Sequence, residues 1–147
     1  MDPTDDLLNP IHCVSHNLQK TARLVAGVYA EELRRCGLSR GQFPILQHLE
    51  ASGGGVAMSV LAQGLYMDRT TLTRNLSPLE GAGLVVREAD PGDARVRRVA
   101  ITEAGRARLV AGREAWRRAQ AMTLERIGAD TWRLLEVDLR RVRKALS

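Results

Sequence analysis

The thirteen residues from Met67 to Leu79, Met-Asp-Arg-Thr-Thr-Leu-Thr-Arg-Asn-Leu-Ser-Pro-Leu, constrain this chain more than any others. At 3.6 residues per turn, Leu72, Leu76 and Leu79 fall on one face, and Thr70, Arg74 and Ser77 fall almost opposite. Asp68 is suited to N-cap the helix, since its carboxylate accepts from free first-turn amides and favours the positive end of the helix dipole. The outward row offers hydroxyls and one guanidinium, groups that bond phosphate oxygens and base edges, with Arg fitted to a bidentate contact with guanine. The stretch therefore reads as a DNA recognition helix. The alternative is an ordinary amphipathic helix with a solvated polar face.

The flanking residues favour the first reading. Ser59 to Leu65 reads as a short apolar helix capped by Ser59, and Tyr66-Met67 leaves a tight turn before Asp68, which makes a helix-turn-helix. Gly81 and Gly83 are expected to end the recognition helix by supplying left-handed conformations. Leu84-Val85-Val86-Arg87 and Val96 to Ile101 then read as strands around Asp90-Pro91-Gly92-Asp93, a β-hairpin wing. Pro78 removes one hydrogen bond inside the recognition helix, so a bend is expected there.

Long helices surround this unit. Asn9-Pro10 supplies an N-cap and a first-position proline, and Ile11, Val14, Leu18, Ala22, Val25, Tyr29, Leu33 and Cys36 form an apolar stripe that Gly37 ends. Ser39-x-x-Gln42 is a capping box for a second helix through about Leu49, and Ala51 to Gly55 is a turn. Thr102 caps a helix from Glu103 to about Ile127, and Gly128 to Asp130 breaks and recaps the chain. The last helix sets Trp132, Leu135, Leu139, Val142 and Leu146 at heptad-like steps. Its stripe and that of the first helix need a partner, expected to be a second copy in a two-fold dimer. The predicted fold class is mainly α with a small β-hairpin wing. One domain, 1–147, is expected to comprise a winged helix-turn-helix lobe at 39–102 and dimerisation helices at 10–36 and 103–147.

Composition narrows the partner. With 44% hydrophobic and 27% charged residues the chain has a globular balance, and only 3% aromatic leaves little for stacking single-stranded bases. Duplex DNA is the better fit. The net charge of +5 permits a polyanionic partner, yet Val56 to Thr102 holds six arginines against five acids, a net of +1, so placement must matter more than bulk charge. No apolar run approaches the roughly 20 residues of a membrane span, and the start, with Asp2, Asp5 and Asp6, lacks the layout of a signal peptide. A cytoplasmic protein without membrane contact is expected. Its two cysteines fit a reducing compartment, and Cys13 and Cys36, about 34 Å apart on one helix, cannot pair within a chain.

The run Leu61-Ala62, Met67 through Arg74, Leu79-Glu80, Gly83-Leu84-Val85, Asp93-Ala94-Arg95 and Ile101-Thr102-Glu103-Ala104-Gly105 resembles the multiple-antibiotic-resistance-repressor (MarR) family of winged-helix regulators. Gly37-Leu38-Ser39 with Gln42-Phe43 extends the resemblance over almost the whole chain. It implies a homodimeric transcriptional regulator, a repressor released from a near-palindromic operator by a small-molecule effector. It also implies that Arg95 enters the minor groove and that Asp93 braces the wing. Strand alternation is expected to turn Arg95 and Arg97 to one face. The DNA-facing set is then Arg69, Thr70, Thr71, Thr73, Arg74, Ser77, Asp93, Arg95 and Arg97.

Small aromatic acids are the ligands the resemblance implies, in a crevice bounded by the first, second and fifth helices. His12, His16, Arg23, Arg113 and Trp116 are the candidate lining, a guanidinium holding the carboxylate and apolar walls holding the ring. Cys13 offers an alternative, peroxide sensing by a thiol on the first helix, against the plainer reading of an inert buried thiol. His12 and His16 have metal-compatible spacing and His48 is a conceivable third ligand, but nothing in the sequence places it nearby, so neither metal nor cofactor is expected. A phosphate loop, a Gly-x-Ser-x-Gly and a Cys-x-x-Cys are all missing, and no catalytic residue is assigned.

Overall fold

The computed structural model describes residues 4–147; Asp2 lies outside them. Six helices and a small sheet follow the expected order: α1 (Val14–Arg34), α2 (Gln42–Ser52), β1 (Val56–Ala57), α3 (Met58–Gly64), α4 (Arg69–Gly81), β2 (Val85–Ala89), β3 (Arg97–Ile101), α5 (Glu103–Ile127) and α6 (Ala129–Leu146). The fold is mainly α with a β-hairpin wing.

Several boundaries differ from the sequence reading for local reasons. Asn9 does cap, accepting from the Ile11 amide at 3.1 Å, but what it starts is a short 3-10 turn, Pro10–His12. The chain then straightens at Cys13, whose Sγ accepts from the His16 amide, and α1 begins only at Val14. Ile11 therefore does not belong to the α1 stripe. Ser59 caps nothing: α3 begins one residue earlier, after the extended Ala57, with no side-chain cap. Gly83 takes the left-handed conformation that ends α4 (φ 69°), whereas Gly81 is still helical. Asp130 sits inside the first turn of α6 rather than capping it.

The sheet gains a strand. Val56 and Ala57 pair antiparallel with Val99 and Arg98, so the order is β1-β3-β2 and the wing hairpin is anchored to the segment entering α3. Across the hairpin, Val85 pairs with Ile101 and Ala89 with Arg97. On the inner side, Leu61, Leu72, Leu76 and Val99 are fully buried and join Ile45, Leu46 and Leu49 of α2 in one core. Each such side chain contributes about 1.5–3 kcal/mol by leaving water.

α5 ties this lobe to α1. Its N-cap Thr102 accepts from the Gly105 amide at 3.0 Å and donates to the Gly83 carbonyl at 2.6 Å. Gly105 has no room for a side chain, because a Cβ there would lie 2.1 Å from the Leu84 carbonyl oxygen. Farther along, Arg106 pairs with Glu50 of α2, and Arg118 with Glu32 of α1. α6 has no buried residue, and α1 buries only Glu32 and Leu33, so much of the apolar stripe of each helix stays accessible in the single chain. Among the described residues no helix is long and apolar enough to cross a membrane.

Candidate nucleic-acid interface

α4 is aimed by its two ends. Asp68 Oδ1 accepts from the Thr71 amide at 2.8 Å and Oδ2 from the Thr71 hydroxyl at 2.7 Å, which fixes the first turn. Those two bonds, the hydroxyl's first, hold the Asp68 carboxyl below the usual aspartate range. The turn before it passes through Tyr66, a non-glycine residue at φ 51° and 77% exposed. The Met67 amide closes that turn on the Ala62 carbonyl at 2.9 Å.

With Leu72, Leu76 and Leu79 buried, the helix exposes Arg69, Thr70, Thr73, Arg74 and Ser77. Thr71 belongs to the cap rather than to the free surface, since its hydroxyl is committed to Asp68. Ser77 donates to the Thr73 carbonyl at 2.9 Å, which leaves its oxygen lone pairs outward. α4 continues through Pro78 to Gly81, and the Ala82 amide closes on the Pro78 carbonyl at 3.0 Å.

The wing is organised chiefly by Asp90, which sequence reasoning passed over. Its Oδ1 accepts from the Gly92 and Asp93 amides, and its Oδ2 from Arg98 at 2.8 Å. The Gly92 amide foremost, with Asp93 and Arg98, depresses its pKa. Arg98 also donates through Nε to the Gly55 carbonyl at 2.9 Å, stapling the wing to the turn before β1. Asp93 has a smaller part, accepting from the Arg95 amide at 3.0 Å. Arg95 lies in the connecting loop, since β3 starts at Arg97, so strand alternation does not set its direction. Both are exposed. A notch of about 390 Å³ opens between the wing and the helix-turn-helix, lined by Ser59, Arg69, Arg95 and Arg97 among others.

The arrangement is a helix-turn-helix whose second helix buries its leucine face in the core and turns its polar face outward beside a basic wing. The model of the MarR family matches residues 37–96. The transcriptional regulator MosR of M. tuberculosis, solved in complex with DNA, is 33% identical and superposes over 91% of this chain and 96% of its own at a TM-score of 0.79. The chain belongs to the MarR family. Other relatives agree: the transcriptional repressor CouR, solved on a 23-mer DNA duplex, is 25% identical with a TM-score of 0.81 over 93% of this chain and 96% of its own. The uncharacterized HTH-type transcriptional regulator YxaD of Bacillus subtilis (strain 168) is 29% identical over 106 residues, 72% of this chain and 73% of that protein. This MarR-family chain is thus a transcriptional regulator and not an enzyme.

Away from the wing, the MarR-family chain has a cavity of about 750 Å³ between α1, α5 and α6. Its walls are apolar, with Trp116 and Trp132 at opposite helices, and Arg40 supplies a guanidinium. A second cavity of about 830 Å³ on the α2 side of Trp116 is lined by Gln47, His48, Arg113 and Arg117. Of the five expected pocket residues, then, Trp116 borders both cavities and Arg113 borders the second, its Nε donating to Gln47 at 3.1 Å. His12, His16 and Arg23 border neither: His12 lies 3.7 Å from Asp6, and Arg23 reaches back along its own exposed face to Gln19. Arg40 carried no local signal, because it sits in the α1–α2 connection and meets the cavity only through the tertiary fold. No cluster of three or more metal-ligating side chains occurs among the described residues, and Cys13 and Cys36 are free thiols.

Proposed function

We propose that the chain is a homodimeric repressor that binds a near-palindromic duplex operator and releases it when a small amphipathic carboxylate binds beside Trp116. The observation that carries the DNA half is the exposed row of α4. Thr70, Thr73 and Arg74 face away from the core beside the wing, and the Arg74 guanidinium has no partner among the described residues. An unengaged guanidinium on an outward helix is free for a base edge in the major groove. Arg95, on a loop held by Asp90 and Asp93, is suited to the minor groove, where narrow A·T-rich segments attract cations. That MosR and CouR were solved on DNA supports DNA as the partner.

The dimer reading rests on the apolar stripes of α1 and α6, where Val14, Leu18, Leu135 and Leu146 stay exposed in a single chain. Effector release requires a ligand that binds better to a conformation whose two recognition helices are misplaced for DNA. The 750 Å³ cavity is of ligand size, and Arg40 against two indoles offers a charge and a ring surface. A second reading uses Cys13 as a peroxide-sensing thiol, favoured by its exposure at the start of α1.

Footprinting on operator DNA selected from fragmented genomic DNA tests the proposal. Two protected major grooves about one helical turn, roughly 10 base pairs, apart are expected. A tight, unpaired half-site, or no selected fragment at all, overturns it.

A further inference from the structure

The connection between α1 and α2 touches both the cavity beside Trp116 and the helix α4, and we infer that Asn75 is the positioning residue through which a ligand held at Arg40 displaces α4. This deepens the effector-release reading and rests on it.

Gly41 stands between two cavity residues, since Arg40 before it and Phe43 two positions on both line the 750 Å³ space. Its backbone, at φ −82° and ψ −24°, is ordinary right-handed helix that any residue adopts, so conformation does not call for glycine. Space does. A Cβ at Gly41 would lie 2.4 Å from Asn75 Oδ1 and 2.9 Å from its Cγ, well inside van der Waals contact. The glycine marks a place where the connection and α4 approach too closely for a side chain. Asn75 steps aside only by breaking a bond, because its Nδ2 donates to the Thr71 carbonyl at 2.9 Å. Thr71 is in turn held by Asp68, so Asn75 is tied to the first turn of the helix whose neighbouring Thr73 and Arg74 are exposed.

The other side of the contact is equally firm. Ser39 Oγ accepts from the Gln42 amide at 3.2 Å, Gln42 Oε1 accepts from the Ser39 amide at 2.9 Å, and the Phe43 amide donates to the Ser39 carbonyl at 3.1 Å. These three bonds make residues 39–43 one unit, so a backbone shift at Arg40 carries Gly41 with it. Toward α5 the unit has no slack, because the Phe43 ring lies against Gly112, where a Cβ would meet it at 3.0 Å. Arg40 is the one charged residue among those lining the cavity, and a ligand carboxylate that pairs with it pulls on the connection at that point. Close-packed contacts pass a displacement on rather than absorb it. A carboxylate that draws Arg40 in therefore moves Gly41 relative to Asn75 and re-aims the outward row of α4. Such a shift gives the ligand two conformations to tell apart, which release requires.

The test compares the whole chain as wild type, Gly41→Ala, Asn75→Ala and the double variant, with benzoate as the probe. A methyl group at position 41 displaces Asn75 without any ligand, so Gly41→Ala is expected to weaken operator binding about fivefold or more in the absence of benzoate. Shortening Asn75 clears the space, so the double variant should bind operator within about twofold of wild type. Asn75→Ala alone should bind operator as wild type does, and benzoate too by tryptophan fluorescence, yet keep its hold on DNA when benzoate is bound. A merely structural Asn75 would not separate ligand binding from release. Amide hydrogen exchange repeats the comparison without DNA or ligand: Gly41→Ala should speed exchange in the first turns of α4, and the double variant should restore it. That arm stands if no operator is found and if benzoate does not bind, so failure of the contact is distinguishable from failure of the effector-release reading. Should Gly41→Ala fail to fold, folding of the double variant supports the contact and its failure to fold counts against it. Unchanged operator affinity and exchange in Gly41→Ala, a double variant no better than Gly41→Ala, or full release of Asn75→Ala by bound benzoate overturns the inference.

Discussion

Arg118 of α5 donates through Nε to Glu32 of α1 at 2.8 Å, and Glu32 is only 4% exposed. A buried side chain of this kind is costly to leave without hydrogen-bond partners, and here they are Arg118 and, at 3.1 Å, Arg35. This pair joins the first helix to the fifth, while Arg106 with Glu50 joins the fifth to the second. Arg118→Ala is expected to destabilise the fold by about 1–3 kcal/mol, through the hydrogen bond lost by a buried acceptor. Arg133→Ala, which removes an exposed pair one helical turn long with Asp130, should cost below about 0.5 kcal/mol. Urea unfolding of both variants makes the comparison, and equal losses would show that Glu32 is satisfied without Arg118.

Gly105 gives a prediction with its own control. Alanine favours a helix over glycine by up to about 1 kcal/mol, so propensity alone predicts that Gly105→Ala stabilises. The Leu84 carbonyl oxygen, 2.1 Å from the new Cβ, forbids it without moving backbone. The expected result is destabilisation of about 1–3 kcal/mol, as for overpacking in a core. Gly81→Ala in α4 meets nothing within 4 Å and is expected to stabilise by about 0.5–1 kcal/mol. Thermal melts of the two variants should therefore shift in opposite directions.

Asp68 links the recognition helix to pH. Its folded pKa lies below the ordinary aspartate value, chiefly through the Thr71 hydroxyl and then the Thr71 amide. A depressed folded pKa means that the unfolded chain takes up the proton first as pH falls. The cap's contribution is therefore complete above the ordinary aspartate range and is lost as pH drops through the folded value. Asp68→Ala should melt below wild type at neutral pH, and the gap should close in acid beneath that range. A gap independent of pH would mean that the charged form has no special role in the cap.

How legible each part was follows from the range of the interactions that build it. The Asp68 cap, the α4 apolar face, the Ser39–Gln42 box and the Thr102 cap are contacts over three or four residues, and the sequence displays them directly. β1 left no trace, because two residues become a strand only through Val99 and Arg98, more than forty positions away. Asn9-Pro10 is a genuine start signal, but it opens a single 3-10 turn, since the chain straightens again at Cys13. The cavity was legible in part. Its α1 wall is Leu18, Ala22, Val25 and Tyr29, the apolar stripe read from sequence, whereas Arg23 projects to another face of the same helix. Likewise Asp90 looked like any turn residue, and its grip on Arg98 required the hairpin to form.

The two arginines proposed to face DNA, Arg74 and Arg95, should fail differently. Arg74→Ala removes an outward group from α4 and is expected to cost about 1–3 kcal/mol of operator affinity, with relaxed discrimination at one base pair. Arg95→Ala should weaken operators with A·T-rich flanks most, because groove width rather than base identity attracts its charge. Binding to an operator series at fixed salt distinguishes them. If both variants match wild type, the DNA-facing surface lies elsewhere.

The proposed effector cavity makes the last prediction, and Arg40 replaces Arg23 in its lining. Both tryptophans of the chain line it, so intrinsic fluorescence reports on it directly, and Trp132→Phe leaves Trp116 as the single reporter. Titration with small aromatic carboxylates should change that fluorescence saturably and release operator DNA. A charge-assisted hydrogen bond contributes about 1.5–3 kcal/mol, so Arg40→Ala is expected to weaken binding roughly tenfold or more, while Arg23→Ala binds as wild type does. The reverse pattern would place the carboxylate on the outer face of α1. Release of DNA by peroxide, abolished in Cys13→Ser and untouched in Arg40→Ala, would instead assign sensing to the exposed thiol at the start of α1.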